Sequence, residues 1–181
     1  MVPYKGKYKV TQPYKGATHK GIDLVGLDNK NIYAPVSGYI AASRTDTYPD
    51  GGMGNYIKIR EANGRYHILA HLSKLLIDAG QMVNEGDIIG VEGNTGHSFG
   101  SHCHYEIREN LSSSSFIDVA TYMNIPNQIG TYESGGSMTK EEAKKIVKEK
   151  AGLSDSTIRY IADDYRWGDT LIIKLAEAME K

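Results

Sequence analysis

Two histidines stand two positions apart in the stretch His102-Cys103-His104-Tyr105-Glu106. In a β-strand such residues point to the same face of the sheet, so both imidazoles can reach one metal ion, or a metal ion and the water beside it. Two other stretches carry further imidazoles and a carboxylate: His19-Lys20-Gly21-Ile22-Asp23 and His71-Leu72-Ser73. A catalytic zinc takes three protein ligands and keeps an open fourth position. The sequence therefore predicts a metal site with two ligands from residues 19–23 and one from residues 102–104.

These stretches form part of a series of four motifs that follow one another in a definite order. They are His19-Lys20-Gly21-Ile22-Asp23, Ala70-His71-Leu72-Ser73, Val83-Asn84-Glu85-Gly86-Asp87-Ile88-Ile89-Gly90, and Gly93-Asn94-Thr95-Gly96 followed by His102-Cys103-His104-Tyr105-Glu106. In this order and at these distances, the series resembles the motifs of the lysostaphin-like (M23) family of zinc peptidases, which cut peptide bonds in bacterial peptidoglycan. The resemblance runs from about residue 10 to about residue 108.

The resemblance implies a role for each matching residue. Three positions match the zinc ligands of the family: His19, Asp23 and His104. His71 and His102 match the pair that handles protons and orients the attacking water. Tyr14, shortly before the first ligand, is a further candidate as a donor to the oxyanion. Cys103 lies between the two histidines and, because side chains alternate along a strand, is expected to face away from the metal.

The chemistry implied by the resemblance is the hydrolysis of a peptide bond. Zinc lowers the pKa of its bound water to about 7 and polarises the scissile carbonyl. His71 or His102 can accept the water proton and later pass it to the leaving amine. The zinc, an imidazolium or a tyrosine hydroxyl can stabilise the oxyanion. The chain has no His-Glu-x-x-His motif. The class of metalloproteases that uses the glutamate of this motif as its general base is therefore excluded.

The other histidines have simpler interpretations. A single histidine is more often a surface or core residue than a ligand, and we expect this of His67 and His97. His67 lies four positions before His71 in a predicted strand, so the two can share a face. His97 precedes the last motif and can line a substrate groove. Asp23 taken alone can equally be a turn or cap residue, and only its neighbours favour metal ligation.

Composition excludes several classes of protein. The formal net charge is −1, which gives no electrostatic case for nucleic-acid binding. The chain has 13 tyrosines and two phenylalanines, which suits either a groove for a polar polymer or exposed positions of a sheet. A single cysteine excludes an internal disulfide. At 181 residues, the length allows one ordinary domain and a small appendage.

The N-terminal residues have no apolar leader, and no stretch is long enough to insert into a membrane. The substrate of the resembling family nevertheless lies outside the cell. A wall hydrolase made without a signal peptide fits a phage endolysin that stays in the host cytoplasm until a membrane pore releases it to the peptidoglycan. A sequence from which a signal has been removed would look the same.

The pattern along the chain predicts two domains. Residues 1–129 contain short alternating runs separated by turn residues, which predict a mainly antiparallel β-sheet catalytic domain. Residues 130–137 are rich in glycine and serine and predict a flexible linker. Residues 138–181 predict a small all-α module of three helices, with Thr139, Ser154 or Asp155, and Asp169 as N-caps. Gly152 is expected to end the first of these helices.

The helical module has two competing interpretations. It can hold the enzyme on the cell wall, or it can form a homo-oligomer by burying Trp167 or Tyr160 against a copy. The simplest alternative is that Trp167 fills the core of the module. The sequence Gly135-Gly136-Ser137-Met138 also suggests that translation restarts at Met138 and yields free modules that assemble with full-length chains.

Other interpretations of the whole chain remain open. It can be a catalytically inactive scaffold that binds peptidoglycan or partner proteins, although inactive members usually lose ligands and all five histidine and aspartate positions are present here. It can also be an active enzyme of a phage tail or of bacterial wall remodelling. The family includes glycyl-glycine cutters and enzymes that cut stem or cross-link peptides, and we favour the second group for this chain.

Overall fold

Apolar and polar residues alternate in several strands of this chain, whereas the strands Gly21–Gly26 and Tyr66–Leu72 are buried along most of their length. In the first strand, Tyr8 and Val10 are buried while Lys7 and Lys9 are exposed to solvent. This is the pattern of a sheet with one face on the core. The strand Cys103–Arg108 follows the same rule, because Cys103, Tyr105 and Ile107 point into the core. The residues between them are therefore left for the opposite face.

The computed structural model describes residues 1–46, 52–110, 115–134, 140–161 and 168–179. The strands are β1 (Lys7–Gln12), β2 (Gly21–Gly26), β3 (Asn31–Tyr33), β4 (Gly38–Thr45), β5 (Asn55–Glu61), β6 (Tyr66–Leu72), β7 (Lys74–Leu75), β8 (Met82–Val83), β9 (Ile88–Val91), β10 (Cys103–Arg108), β11 (Phe116–Ile117) and β12 (Gly130–Glu133). The α-helices are α1 (Val119–Met123), α2 (Lys140–Ala151), α3 (Asp155–Arg159) and α4 (Gly168–Met179). A short 3₁₀ turn lies at Gly16–Thr18.

The strands form two antiparallel sheets. In the larger sheet the order is β12-β1-β2-β10-β6-β5-β4-β8, with β11 paired to β10. The smaller sheet has the order β3-β9-β7. Every strand pair between described residues is antiparallel. The predicted fold class, a mainly antiparallel β-sheet domain followed by short C-terminal helices, is confirmed.

The chain divides into two compact units, Met1–Gly135 and Gly136–Lys181. The core of the first unit includes inward side chains of β1, β2, β6 and β10, together with residues of other strands and of the segment before β1. Among its largest fully buried residues are Tyr4, Ile22, Leu24, Leu69 and Tyr105. These strands lie side by side at the centre of the larger sheet. Residues on the other face of β2 and β10 are consequently held by a rigid, well-packed support.

Residues Gly130–Glu133 differ from the sequence prediction, which placed them in a flexible linker. They form β12, which pairs with β1 from Lys7↔Glu133 to Val10↔Gly130. The ring of Tyr132 packs 6.0 Å from that of Tyr8, measured between ring centroids. The buried Ser134 then accepts a hydrogen bond from the Gly6 amide at 2.8 Å. Local composition indicated flexibility, and it could not show the pairing partner, which lies at least 120 residues earlier in the chain.

The second unit contains helices α2, α3 and α4, in agreement with the three predicted helices. Its buried core consists of Ala143, Val147, Ile172 and Ala176. The Ser154 hydroxyl accepts from the Thr157 amide at 3.2 Å and caps α3. Gly152, with a φ of 64°, follows the last residue of α2.

Some sequence predictions for the second unit fall on positions that the structure does not describe. They concern Thr139 as an N-cap, Trp167 and Met138, together with the side chain of Asp169. Tyr160, the other residue proposed for self-association, is described and exposed. Among the described residues, no helix is both long enough and apolar enough to cross a membrane.

Candidate metal centre

The pairing register of β2 and β10 brings Asp23 and His104 together. Asp23 lies directly opposite His104, as Ile22 lies opposite Tyr105 and Leu24 opposite Cys103. Residues directly opposite in an antiparallel pair share a face. Because Leu24 and Cys103 belong to the core, Asp23 and His104 project from the other side of the sheet. Their side chains meet there, with 2.7 Å between Asp23 Oδ1 and His104 Nδ1.

His19 approaches the same carboxylate from the segment before β2. It directly follows the 3₁₀ turn Gly16–Thr18 and has an extended backbone. Its Nδ1 lies 2.8 Å from the carbonyl oxygen of Pro13, and its Nε2 lies 3.2 Å from Asp23 Oδ1. A carbonyl only accepts hydrogen bonds, so Nδ1 of His19 carries a proton, and in the neutral ring Nε2 keeps its lone pair. That is the state in which an imidazole binds a metal ion.

The three predicted ligands therefore form one cluster. A ligand atom from each of His19, Asp23 and His104 lies within 4.8 Å of the others. Two imidazole nitrogens and a carboxylate oxygen suit zinc, and this number leaves a fourth tetrahedral position for water or substrate. The second ring nitrogen of His104 faces Glu106, with 3.5 Å between Nε2 and Oε2. Such a carboxylate orients a ligating imidazole and raises its basicity.

The electrostatics of the cluster suit a cation. Burial raises the pKa of Asp23, but hydrogen bonds from the rings of His104 and His19 lower it by more. The pKa of Asp23 is therefore well below its usual range. Burial lowers the pKa of His104, yet its contacts with Asp23 and Glu106 prevail and raise it to about 9. Without a metal ion, His104 is thus protonated at neutral pH. A bound metal ion would take the place of this proton.

His71 and His102 form a second pair of imidazoles beside the cluster. Their ring centroids are 4.8 Å apart, and that of His71 lies 5.9 Å from that of His104. His71 directs Nδ1 at the Thr95 carbonyl at 2.9 Å, and His102 directs Nδ1 at the Gly100 carbonyl at 2.8 Å. Both carbonyls require the proton on Nδ1, which leaves Nε2 of each ring as an acceptor.

The backbone at His71 has an unusual conformation. Its φ is 65°, in the left-handed region that non-glycine residues seldom adopt. Hydrogen bonds hold it there, from the His71 amide to the Met53 carbonyl at 2.9 Å and from the Thr95 amide to the His71 carbonyl at 3.3 Å. His71 lies where the pairing of β6 with β5 is irregular, between the pairs Ile57↔Leu69 and Asn55↔Leu72. Burial lowers the pKa of His71 to about 4, so the ring is neutral at physiological pH.

These residues line one open cleft in the first unit. Besides the five predicted site residues, its walls include Thr11, Gln12, Val25, His97, Phe99 and Ser101. The volume is about 480 Å³, which is in the range of sites that enclose small ligands. His97 and Phe99 lie on one loop, where their rings are 5.2 Å apart and perpendicular. The prediction that His97 can line a groove agrees with this position.

Two other residues singled out in the sequence lie away from the cleft. Tyr14 does not line the cleft, and its ring packs 6.5 Å from that of Phe116. Cys103 is fully buried in the hydrophobic core, facing away from its two histidine neighbours as strand alternation predicts. Burial raises the pKa of its thiol far above the usual value.

His67 does not share the cleft with His71. It is fully buried and has two side-chain partners, Tyr105 Oη at 2.7 Å from Nδ1 and Glu61 Oε2 at 3.1 Å from Nε2. Burial lowers its pKa. This agrees with the expectation of a core histidine.

The sequence did not reveal the roles of the Thr95 carbonyl, which contacts the His71 ring, and of Glu106, which faces the His104 ring. Neither residue type indicates by itself that it orients an imidazole.

Two imidazoles and a carboxylate around one point, with two further imidazoles beside them, form the donor set of a metallopeptidase site. Comparison with protein-family models specifies this class further. The model of peptidase family M23 matches residues 17–116, and this chain belongs to that family. The matched residues include every predicted metal-binding and proton-transfer residue.

Individual relatives resemble parts of the chain. The DD-carboxypeptidase/endopeptidase Mpg of Neisseria meningitidis is 38% identical over 135 residues, which are 75% of this chain and 30% of that protein. The peptidoglycan DD-endopeptidase ShyA of Vibrio cholerae is 36% identical over 91 residues, 50% of this chain and 20% of that protein. The chain thus spans less than a third of the length of these curated relatives.

A solved structure shows the same fold. The antimicrobial peptidase lysostaphin from Staphylococcus simulans aligns with a TM-score of 0.55 and 31% identity. The alignment covers 67% of this chain and 50% of that chain.

The left-handed backbone at His71 leads to a prediction about stability. Asparagine tolerates this conformation better than alanine, so His71→Asn should be more stable than His71→Ala by about 1 kcal/mol in the free energy of unfolding. The measurement is urea denaturation of metal-free protein, followed by labelling of Cys103, the single, buried cysteine.

The matched control uses His97, which is exposed and has no positive φ. His97→Asn and His97→Ala should differ by much less than the pair at position 71. Equal stabilities of the two variants at position 71 would show that its backbone carries no such preference.

Proposed function

We propose that this chain is a zinc-dependent endopeptidase that cleaves peptide bonds in bacterial peptidoglycan. The observation that carries the proposal is the convergence of His19, Asp23 and His104 within 4.8 Å, next to the neutral ring of His71. The names of two relatives, DD-carboxypeptidase/endopeptidase Mpg and peptidoglycan DD-endopeptidase ShyA, support a bond between D-amino acids in the cross-links as the target. This agrees with the preference for stem or cross-link peptides reached from the sequence.

The metal ligands in this proposal are His19, Asp23 and His104. When bound, zinc makes a water molecule more acidic and polarises the scissile carbonyl. The Pro13 carbonyl fixes the His19 ring, and Glu106 faces the far nitrogen of the His104 ring. These contacts hold the donors in place before binding, which reduces the reorganisation that binding requires.

His71 and His102 handle the protons. Each has its proton on Nδ1, held by a backbone carbonyl, and offers the lone pair of Nε2. One of these nitrogens accepts a proton from the attacking water as the oxygen bonds to the carbonyl carbon. The resulting imidazolium then donates a proton to the leaving amine as the C–N bond breaks.

The first test separates metal binding from catalysis. The intact protein should bind one zinc and clear a suspension of purified cell walls. His104→Ala should lose both properties, since a ligand is removed. His102→Ala should retain zinc but lose at least about a hundredfold in rate, which is the usual contribution of a general base.

Zinc content by atomic emission and the decrease in turbidity provide the two readouts, and mass spectrometry of the fragments identifies the bond. Retention of zinc by His104→Ala would contradict the ligand assignment. Wild-type protein that binds zinc and lyses no type of wall would favour the alternative of a peptidoglycan-binding scaffold.

A second prediction concerns pH. With a pKa of about 9, His104 is protonated in the metal-free protein at pH 7, and zinc binding must release this proton. Apparent zinc affinity should therefore fall about tenfold for each pH unit below 9, and it should level off above 9. Competition with a chelator between pH 6.5 and 9.5 measures this slope.

Glu106→Gln offers a matched comparison. It removes a carboxylate that raises the pKa of His104. The apparent zinc affinity should therefore reach its constant value at a lower pH than in the wild type. An affinity that does not change with pH in either protein would show that His104 is already neutral without zinc.

The biological role stays a hypothesis. We infer that this wall hydrolase is a phage endolysin, held in the host cytoplasm until release. Enzymes of phage tails and of wall remodelling are the alternatives. Neighbouring genes distinguish these roles, because an endolysin gene lies beside a gene for a membrane pore and a tail enzyme lies among tail genes.

We further propose that residues 138–181 bind the cell wall and so raise the local concentration of the catalytic unit. The chain ending at residue 135 should then sediment less with intact walls than the full chain at equal concentration. Sedimentation equilibrium of the full chain tests the other hypothesis, self-association. A monomer that binds walls equally with and without these residues would contradict both roles.

A further inference from the structure

A buried carboxylate with no role in the proposed chemistry lies behind the cleft. Glu92 directly follows β9, and its side chain has no exposed surface. Burial of a charge is costly unless the charge is paired and hydrogen-bonded. Glu92 receives four donors, and each contact is between 2.6 and 2.8 Å: Tyr4 Oη, the Gly26 amide, Lys30 Nζ and Ser101 Oγ.

The donors divide between the two carboxylate oxygens. Oε2 accepts from Tyr4 and from the Gly26 amide, at the last residue of β2. Oε1 accepts from Ser101 at 2.6 Å and from Lys30 at 2.8 Å. Burial raises the pKa of Glu92, but the hydrogen bonds from Lys30 and Ser101 and those from the other two donors lower it more, so the group is ionised. One anion therefore joins the end of β2 to the segment around Ser101.

The Ser101 contact adjoins the position of His102. Gly93, the residue after Glu92, forms a bridge with His102, and the His102 amide donates to the Gly93 carbonyl at 2.9 Å. A Cβ atom at Gly93 would come within 2.3 Å of the Ser73 amide nitrogen, so the chain fits tightly there. Glu92 thus accepts a hydrogen bond from Ser101, and the next residue, Gly93, pairs with His102.

Little else covers the loop that leads to His102. Phe99 is 94% exposed, and Gly100 and Ser101 are exposed as residues. The Ser98 hydroxyl also contacts the loop, since it lies 2.6 Å from Asn94 Oδ1, 3.0 Å from the Gly100 carbonyl oxygen and 3.3 Å from His102 Nδ1. At its end, the Ser101 hydroxyl supplies a charge-assisted hydrogen bond, a stronger type than one between neutral groups.

We propose that Glu92, acting through Ser101, is a positioning residue that fixes the ring of His102 relative to β2, the strand that carries Asp23. The inference rests on the proposed function, in which His102 transfers protons. His102 Nε2 lies 3.7 Å from Asp23 Oδ1, so small shifts of the loop change the distance between the proton acceptor and the metal ligands. A displacement of about 1 Å can cost a hundredfold in rate.

The test compares Ser101→Ala, Ser101→Thr and Glu92→Gln with the wild type. Ser101→Ala removes one hydroxyl from an exposed residue and leaves the other three donors to Glu92 in place. The value of kcat on a soluble cross-linked peptide fragment of peptidoglycan should fall about tenfold, with KM within about twofold. Ser101→Thr keeps a hydroxyl and should restore most of the rate. Glu92→Gln should lose more than Ser101→Ala, because its amide cannot accept from all four donors.

A second readout does not depend on activity. In zinc-free protein, exchange of the His102 amide hydrogen, measured by NMR, should be about tenfold faster in Ser101→Ala than in the wild type. Ser37→Ala is the matched control, since Ser37 is also exposed, and its hydroxyl accepts from the Glu85 amide at 2.8 Å. That variant should leave both kcat and the exchange rate unchanged.

The outcomes separate the two proposals. Wild-type kcat in Ser101→Ala, or unchanged exchange at His102, would overturn the role of Glu92 while leaving the endopeptidase intact. A wild-type protein that cleaves no peptidoglycan peptide would overturn the proposed function. The exchange rates would then still decide whether Glu92 and Ser101 fix this loop.

Discussion

The whole site depends on the pairing register of β2 with β10. Because Asp23 lies opposite His104, one pairing puts a carboxylate and an imidazole on the same face, and Leu24 and Cys103 in the core. A slip of one residue would reverse the faces of every side chain on the slipped strand. The core therefore enforces the geometry of the metal centre, since a slipped register would expose Leu24 and bury Asp23. The backbone hydrogen bonds between β2 and β10 therefore determine both the arrangement of the site residues and the burial of the hydrophobic residues.

The spacing of the ligands made this part of the site predictable from sequence. His102 and His104 are two positions apart and Cys103 lies between them, so strand alternation alone assigns their faces. The fold class could also be predicted, because the alternating runs are long enough to show the two-residue period of a β-strand. Family resemblance then supplied the partners of this strand, which alternation cannot identify.

Other features depended on contacts between distant residues and could not be predicted. The strand Gly130–Glu133 has a flexible composition, and only pairing with β1 orders it. The left-handed backbone of His71 needs the carbonyl of Met53 and the loop at Thr95. Glu92 looks like an ordinary surface residue in the sequence, and its burial follows from donors 9 to 88 positions away in the chain. A local pattern contains no information about such partners.

The charges around the cleft favour a cation at Asp23 over one at the neighbouring carboxylates. Glu106 pairs with Arg108, and Glu92 pairs with Lys30, so each of these anions has a cationic side chain. Among the described residues, the partners of the Asp23 carboxylate are imidazoles only. Imidazoles must be neutral to bind a metal ion, and in that state they leave the Asp23 charge uncompensated. A buried anion in that condition is costly, and a divalent cation at the point shared by His19, Asp23 and His104 removes the cost. Without the metal ion, the proton on His104 serves the same purpose, and this is why its pKa is raised.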